Sequence, residues 1–113
     1  MKPAVNESLE RLFTPLLLGR KTAPNRFIFA AHQTNFATHH RFTERHVAYY
    51  AARASGGVGL IVLEGSVVHR SDWPYEYVIF GYDPAVVHGY RQVSDAVHRH
   101  GELALAHLTH SGM

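Results

Sequence analysis

Three apolar runs, separated by long polar stretches, set the plan of this chain. They cover residues 27–30, 58–63 and 103–108. Apolar runs of this length, bounded by polar or turn-forming residues, are typical of buried strands. The middle run does not alternate between apolar and polar residues, which fits a strand covered on both faces. Each run leads into a polar segment, and ligands of parallel sheets bind just beyond the carboxyl ends of the strands.

Helical periodicity fills both intervals between the apolar runs. The first predicted helix follows Thr43, a favourable N-cap, and ends at about Ser55. The second follows Asp83, an N-cap with Pro84 at the first helical position, and ends at Gly101. The core-facing stripe of the first helix contains Val47, Tyr50, Ala51 and Ala54, and that of the second contains Val86, Tyr90, Val93 and Val97.

The segment before the first buried run predicts a small hairpin over residues 12–25. An apolar stretch, a turn at Gly19 and a return through residues 22–25 are the features of that motif. Residues 1–11 form a polar lead-in with a helical turn from Glu7 to Leu12. The predicted order is therefore hairpin, strand, helix, strand, helix, strand.

Strands that alternate with helices predict an α/β fold with a parallel sheet. Three strands and two helices leave one face thinly covered and two strand edges open, which proteins normally avoid. The loops over residues 31–42 and 66–82 are long for so small a domain, and long loops are usually functional. We therefore expect the chain to be the N-terminal part of something larger, or a truncated product.

Composition narrows the class of protein. Apolar content is 46%, charged content is 18% and the formal net charge is +2, with no block of basic residues to suggest a nucleic-acid partner. No cysteine is present, which removes disulfides and thiolate chemistry from this stretch. No apolar run is long enough to span a membrane and the N-terminus lacks a signal-peptide core, so a cytoplasmic location is expected.

Several segments, in order and at matching spacing, resemble the old yellow enzyme and 2,4-dienoyl-CoA reductase family of FMN-dependent NADH:flavin oxidoreductases. The segments are Leu12–Leu16, Asn25–Ala30, Ala48–Gly65 and Asp95–Gly101. Three more segments are most similar to the branch associated with mycofactocin gene clusters: Ala31–Asn35, Trp73–Glu76 and Asp83–Arg91. The resemblance covers about residues 12–113.

The resemblance implies that residues 1–113 are the N-terminal part of an FMN-binding (β/α)8 TIM barrel. Residues 12–25 then form the hairpin that caps the bottom of the barrel, and the strands and helices after it are the first three strands and two helices. Such barrels need roughly 200 residues or more, and their phosphate site follows strands 7 and 8. In the family, the proton-donating tyrosine and the cysteines of a 4Fe–4S cluster also come later, so the 113-residue chain alone is expected not to retain FMN.

Five positions match family residues that line the flavin. Ala31, His32 and Gln33 follow the first strand, where small and polar residues approach the ring. The family often has Cys or Thr at the position of Gln33, and some members tether FMN covalently through that Cys, so flavin here would be bound without a covalent bond. Gly65 matches a family Ala/Gly position against the ring. His107 stands where many members have Gln.

Other readings of these residues stay open from sequence. His107 either donates to the flavin, favouring the anionic reduced form if protonated, or is a neutral core histidine bonded to a backbone carbonyl. Glu64 is interpreted as a structural hydrogen-bonding residue that points away from Gly65. His110 either helps to shape the site or packs the loop. Trp73, Tyr75 and Tyr77 either wall the substrate or pack the loop onto the rim.

The ten histidines do not predict a metal site. The pairs His39–His40 and His98–His100 lack the helical spacing of zinc ligands, and no carboxylates accompany them. The resemblance implies an FMN-dependent oxidoreductase that passes hydride between NAD(P)H and an organic acceptor of the enal, enone or enoyl type through flavin N5, with homo-oligomers possible. Two alternatives remain: an oxidative amine demethylase or dehydrogenase of the same fold, or a catalytically inactive half-barrel that self-associates through its open edges.

Overall fold

The computed structural model describes residues 7–112, so residues 1–6 of the predicted lead-in and Met113 lie outside the described residues. Helix α1 spans Glu7–Glu10, and a 3-10 turn follows over Arg11–Phe13. Strands β1 (Leu16–Leu18) and β2 (Lys21–Ala23) pair in antiparallel register. The hairpin therefore forms within the predicted range.

Strands and helices alternate through the rest of the chain. They are β3 (Ile28–Phe29), α2 (Glu44–Ser55), β4 (Leu60–Val67), β5 (Ile79–Phe80), α3 (Val86–His98) and β6 (Leu103–Thr109). Strands β3, β5 and β6 all pair with β4 in parallel. Because β6 occupies one edge of β4 from Leu60 to Val67, β3 and β5 share its other edge, one at each end of the strand.

The hairpin leads to the amino-terminal end of the sheet. Asn25, just after β2, donates from its side-chain amide to the carbonyl oxygen of Gly57 at 2.6 Å. A Cβ atom on Gly59 would lie 2.5 Å from the carbonyl oxygen of Asn25, so only glycine fits there. This contact fixes the entry into β3 beside the start of β4.

Strand β4 is longer than predicted. The apolar run was expected to end at Leu63, with Gly65 closing the strand, but β4 continues to Val67 and Gly65 lies inside it. Pairing with both β6 and β5 supplies hydrogen bonds for the polar residues that the apolar pattern excluded. A bulge interrupts the β4–β6 register between Val62 and Gly65.

Other boundaries also differ from the sequence expectation. Strand β3 was predicted to be buried, yet Ile28 is 61% exposed, because nothing among residues 7–112 covers that side chain. Strand β5 was not predicted, since two residues give no pattern. Helix α3 begins at Val86 instead of Pro84, because the Asp83 carboxylate accepts the Ala85 N–H at 3.0 Å and holds a turn there.

The core lies between the two long helices and the sheet. Its buried residues are Ala37, Phe42, Tyr50, Ala54, Ile61, Leu63, Ile79, Val86, Val93 and Val97. The predicted stripes of α2 and α3 supply half of this set, so the helical periodicity identified the buried faces correctly. None of the helices within residues 7–112 is long and apolar enough to cross a membrane.

Candidate functional site

The carboxyl ends of β3, β4 and β6 lie at one edge of the sheet, because the three strands are parallel. Three polar segments leave that edge: residues 30–43, 68–78 and 110–112. Four of the five predicted cofactor-binding residues lie on β4 or in the segment after β3, and the fifth lies on β6. Parallel topology thus gathers segments that are far apart in sequence.

Gly65 and His107 are neighbours on adjacent strands. They are register partners, and a Cβ atom on Gly65 would lie 3.8 Å from Nδ1 of His107 and 3.1 Å from Cγ2 of Thr109. The three residues therefore share one face of the sheet. The His107 side chain is exposed and makes no hydrogen bond within residues 7–112, so both readings of this histidine stay predictions.

The bulge in β4 decides which residue reaches this face. Between the register pairs Val62–Leu105 and Gly65–His107, β4 uses one more residue than β6. The extra residue turns Glu64 away from the face that Gly65 shares with His107. The carboxylate of Glu64 is fully buried instead, at 2.9 Å from Nε2 of His46 on α2. The structural hydrogen-bonding role predicted for Glu64 agrees with this contact.

The predicted residues after β3 lie in an irregular loop. Ala31 and His32 are exposed, and the His32 side chain makes no hydrogen bond within the described chain. Gln33 is half-buried, and its amide nitrogen has long contacts of 3.4 Å to the Asn35 side chain and to the carbonyl oxygen of Tyr77. Within the described part of the chain, the amide oxygen of Gln33 is buried and has no hydrogen-bond partner.

Sequence reasoning missed the buried group beneath this loop. The Thr34 hydroxyl donates to Oε1 of Glu64 at 2.6 Å, and His46 approaches the same oxygen. His46 is at the third position of α2, where it accepts the Thr43 N–H at 2.9 Å, as a glutamate does in a capping box. One sequence signal pointed to it: His46 lies one helical turn before Tyr50 on the buried stripe.

The buried Tyr50 and the partly buried Tyr90 both contact β4 next to this group. The Tyr50 hydroxyl accepts the Glu64 N–H at 2.8 Å. Burial raises the pKa of Tyr50, and the Glu64 carboxylate raises it further, while the hydrogen bond from the Glu64 N–H opposes both. Burial also raises the pKa of Tyr90, whose hydroxyl is hydrogen-bonded to the Ser66 hydroxyl. Both phenols therefore stay neutral, and each forms a hydrogen bond with a residue of β4.

The rest of the loop after β3 is ordered by a tight turn. His39 and His40 both have positive φ angles, 52° and 59°, between Thr38 and Arg41, whose main chains exchange two hydrogen bonds. Positive φ at both central positions is the geometry of a type I′ turn, which usually needs Asn or Gly. The His40 ring stacks on Phe80 with centroids 3.8 Å apart, which holds the turn against β5.

The aromatic segment after β4 has two kinds of contact. The Trp73 ring packs edge-on against His40 at 4.7 Å, as expected for a residue that fastens the loop to the rim. Tyr75 and Tyr77 are each nearly half exposed. Tyr77 lines a cleft together with His39 and Glu76, so this part of the loop faces open space at the same edge as Gln33.

Two further contacts join the segments after β4 and β6. The Gly112 N–H donates to Nδ1 of His110, so the neutral ring donates from Nε2 to the Ser71 hydroxyl at 3.1 Å. The Ser71 hydroxyl in turn donates to Nδ1 of His69 at 2.8 Å. Because His110 donates to Ser71, it cannot act there as a base, and the group is a connection between loops instead of a nucleophile–base pair.

Asp72 completes that connection. Its carboxylate accepts hydrogen bonds from the hydroxyl and the N–H of Ser111, the latter at 2.9 Å. The Ser111 hydroxyl lowers the pKa of Asp72, the Ser111 N–H adds to this effect, and desolvation opposes it. Among residues 7–112, no group of three histidine, cysteine or acidic side chains could hold a metal ion.

A family model described as the NADH:flavin oxidoreductase / NADH oxidase family matches residues 11–113. The chain belongs to this family. It is 35% identical over 93% of its length to an N,N-dimethylglycine/sarcosine dehydrogenase of Chromohalobacter salexigens, and 30% identical over 96% to a probable flavin mononucleotide-dependent alkene reductase of Leishmania infantum. The chain spans 16% and 30% of those two relatives.

The structural comparison agrees with the family. The old yellow enzyme from Trypanosoma cruzi superposes with a TM-score of 0.84 and 33% identity, over 93% of this chain and 28% of that enzyme. The predicted resemblance to old yellow enzymes is therefore confirmed, and the α/β fold is the one these enzymes share. The assignment to the mycofactocin-associated branch stays a prediction.

Proposed function

We propose that this flavin oxidoreductase family member contributes the first part of an FMN site to an NAD(P)H-dependent reductase. The observation that carries the proposal is the pairing of Gly65 with His107, which puts a position without a Cβ atom between the His107 imidazole and the Thr109 side chain at the carboxyl edge of the sheet. A planar ring can approach a strand closely only where no Cβ atom intervenes. The alkene reductase among the relatives supports the same assignment.

The described residues fit an isoalloxazine ring. A Cβ atom would fill the space over Gly65, and the Gln33 amide oxygen is a buried acceptor without a partner. When bound, FMN supplies a two-electron carrier between a nicotinamide and an organic acceptor. In this proposal Ala31 and Gly65 leave room for the ring, Gln33 hydrogen-bonds its polar edge, His32 borders it and His107 donates to it. None of these residues is assigned a proton-transfer step.

The proposal treats residues 7–112 as the hairpin and the first strands and helices of a TIM-barrel domain. The exposed side chains of β3 and β6, among them Ile28 and Leu105, support it, because further strands would cover them. It assigns phosphate binding, catalytic groups and any 4Fe–4S cluster to sequence outside these 113 residues. The acceptor, the oligomeric state and the cytoplasmic location stay predictions.

The test uses the full-length protein, purified and examined for bound flavin. We expect a stoichiometric flavin spectrum, bleaching by NADH or NADPH without oxygen, and reoxidation by an α,β-unsaturated carbonyl compound. His107→Gln is expected to change FMN affinity or the reduction rate, whereas His100→Gln, in the exposed turn after α3, is the matched control. Protein that binds no FMN contradicts the proposal. Oxidation of N-methyl amines without alkene reduction contradicts the assigned acceptor.

A further inference from the structure

A buried polar group joins three separate elements behind the proposed flavin surface. Thr34 lies in the loop after β3, His46 on α2 and Glu64 on β4, and the side chains of His46 and Glu64 are fully buried. Oε1 of Glu64 contacts both other side chains. It lies 2.6 Å from the Thr34 hydroxyl and 2.9 Å from Nε2 of His46. A carboxyl group so buried is costly unless its partners are fixed.

The direction of each hydrogen bond in this group follows from its neighbours. Nδ1 of His46 accepts the Thr43 N–H, so in the neutral ring the proton is on Nε2 and points to Glu64. The Thr34 hydroxyl has one proton, which it gives to Glu64, and it accepts the Phe36 N–H at 3.2 Å. Nε2 of His46 also lies 3.2 Å from the Thr34 hydroxyl, so the three side chains contact one another, and loss of the Thr34 hydroxyl leaves Glu64 with His46 alone. The second carboxylate oxygen of Glu64 is buried and has no hydrogen-bond partner within residues 7–112.

Glu64 also affects the position of Gly65, its neighbour on β4. Its N–H donates to the Tyr50 hydroxyl at 2.8 Å, which fastens the bulge that turns Gly65 toward His107. Its side chain holds Thr34, the residue directly after Gln33. The contacts of Gln33 itself are long, at 3.4 Å, whereas Thr34 makes a short hydrogen bond to Glu64. Phe36, further along the loop, is held separately, because its carbonyl oxygen accepts the Thr43 hydroxyl at 3.0 Å.

We propose that Glu64 and His46 are positioning residues that hold the loop carrying Ala31–Gln33 in register with Gly65. The proposal rests on the proposed FMN site, because it assigns those positions a ligand. It assigns neither residue a contact with the flavin. Their effect is transmitted through Thr34 on one side and through the main chain of the bulge on the other.

The decisive variant is Thr34→Val in the full-length protein, because it removes one hydroxyl, keeps the side-chain shape and leaves the Glu64–His46 contact. Amide hydrogen exchange of residues 31–36 is measured in the apo-protein, and the Kd of FMN is measured separately. We expect amide exchange to become about tenfold faster in residues 31–36 alone, and the Kd of FMN to rise about tenfold. A tenfold change corresponds to the loss of one charge-assisted hydrogen bond. Thr34→Ser should restore both values.

Glu64→Gln changes the residue that contacts both Thr34 and His46, so it should have a larger effect than Thr34→Val on amide exchange and on the Kd of FMN. Ser66→Ala is the matched control, since it removes a buried hydroxyl two residues along β4 that contacts Tyr90 and not the loop. Unchanged exchange at residues 31–36 and FMN binding within twofold for Thr34→Val would overturn the proposal. A wild-type protein that binds no FMN refutes the proposed function, yet the apo-protein exchange still tests the positioning role.

Discussion

The two faces of the sheet are built by the same strands but have opposite surroundings. On one face, Ile61 and Leu63 of β4 lie against α2 and α3 and are almost completely buried. On the other face, Leu105 is 50% exposed and His107 is open to solvent. Within residues 7–112, the helix-covered face contains the packed core, whereas the other face presents Gly65 and His107 with no layer packed over them. Stability and candidate chemistry are therefore separable by mutation.

The largest expected effect distinguishes the two faces directly. Ile61→Ala in the 113-residue chain leaves a cavity in the core, so we expect the free energy of unfolding to fall by about 2–5 kcal/mol. Leu105→Ala on the open face is the matched truncation, and it is expected to cost less than about 1 kcal/mol, because that side chain is already half exposed. Urea denaturation measures both. Equal losses would contradict the contrast between the faces.

A smaller effect on stability is expected at Gly65. A Cβ atom there would be 3.1 Å from the Thr109 methyl group, which can move by a few tenths of an ångström. Gly65→Ala should therefore lower the free energy of unfolding by at most about 1.5 kcal/mol. In the full-length protein it should weaken FMN binding by more than tenfold, because the methyl group occupies the proposed ring position. Unfolding curves and flavin titrations separate the two effects, and unimpaired FMN binding would contradict the proposed surface.

The smallest expected effect concerns acid stability at the rim, where Asp72 joins the segments after β4 and β6. The folded-state pKa of Asp72 lies below its ordinary value, mainly because of the Ser111 hydroxyl. Its contribution is therefore fully present above the unfolded pKa of about 3.9 and is lost as the pH falls through the lower folded value. Asp72→Asn should flatten the loss of stability below about pH 4. An unchanged acid profile, measured by thermal unfolding, would contradict this assignment.

Much of the fold and part of the site were predictable from sequence for local reasons. The stripe of α3 repeats at helical spacing, so its buried side was readable without coordinates. Gly65 and His107 could be chosen as candidates because the resemblance matched them to family positions that line the flavin. The geometry between them could not be predicted, since the bulge adds one residue to β4 and shifts the register with β6. His46 was overlooked because a histidine on an apolar stripe has no partner until β4 is placed beside it.

The amino-acid sequence by itself determined the order of the elements except for the short β5, the helix faces that are buried and the family to which the chain belongs, because these depend on residue spacing along the chain. Tertiary structure alone decided that β4 continues through Glu64 and Gly65. It also decided that Glu64 contacts His46 and Thr34, whereas Gly65 lies beside His107. These contacts join residues 18 to 42 positions apart. Their formation depends on strand register and hydrogen-bond satisfaction in three dimensions, which periodicity does not encode.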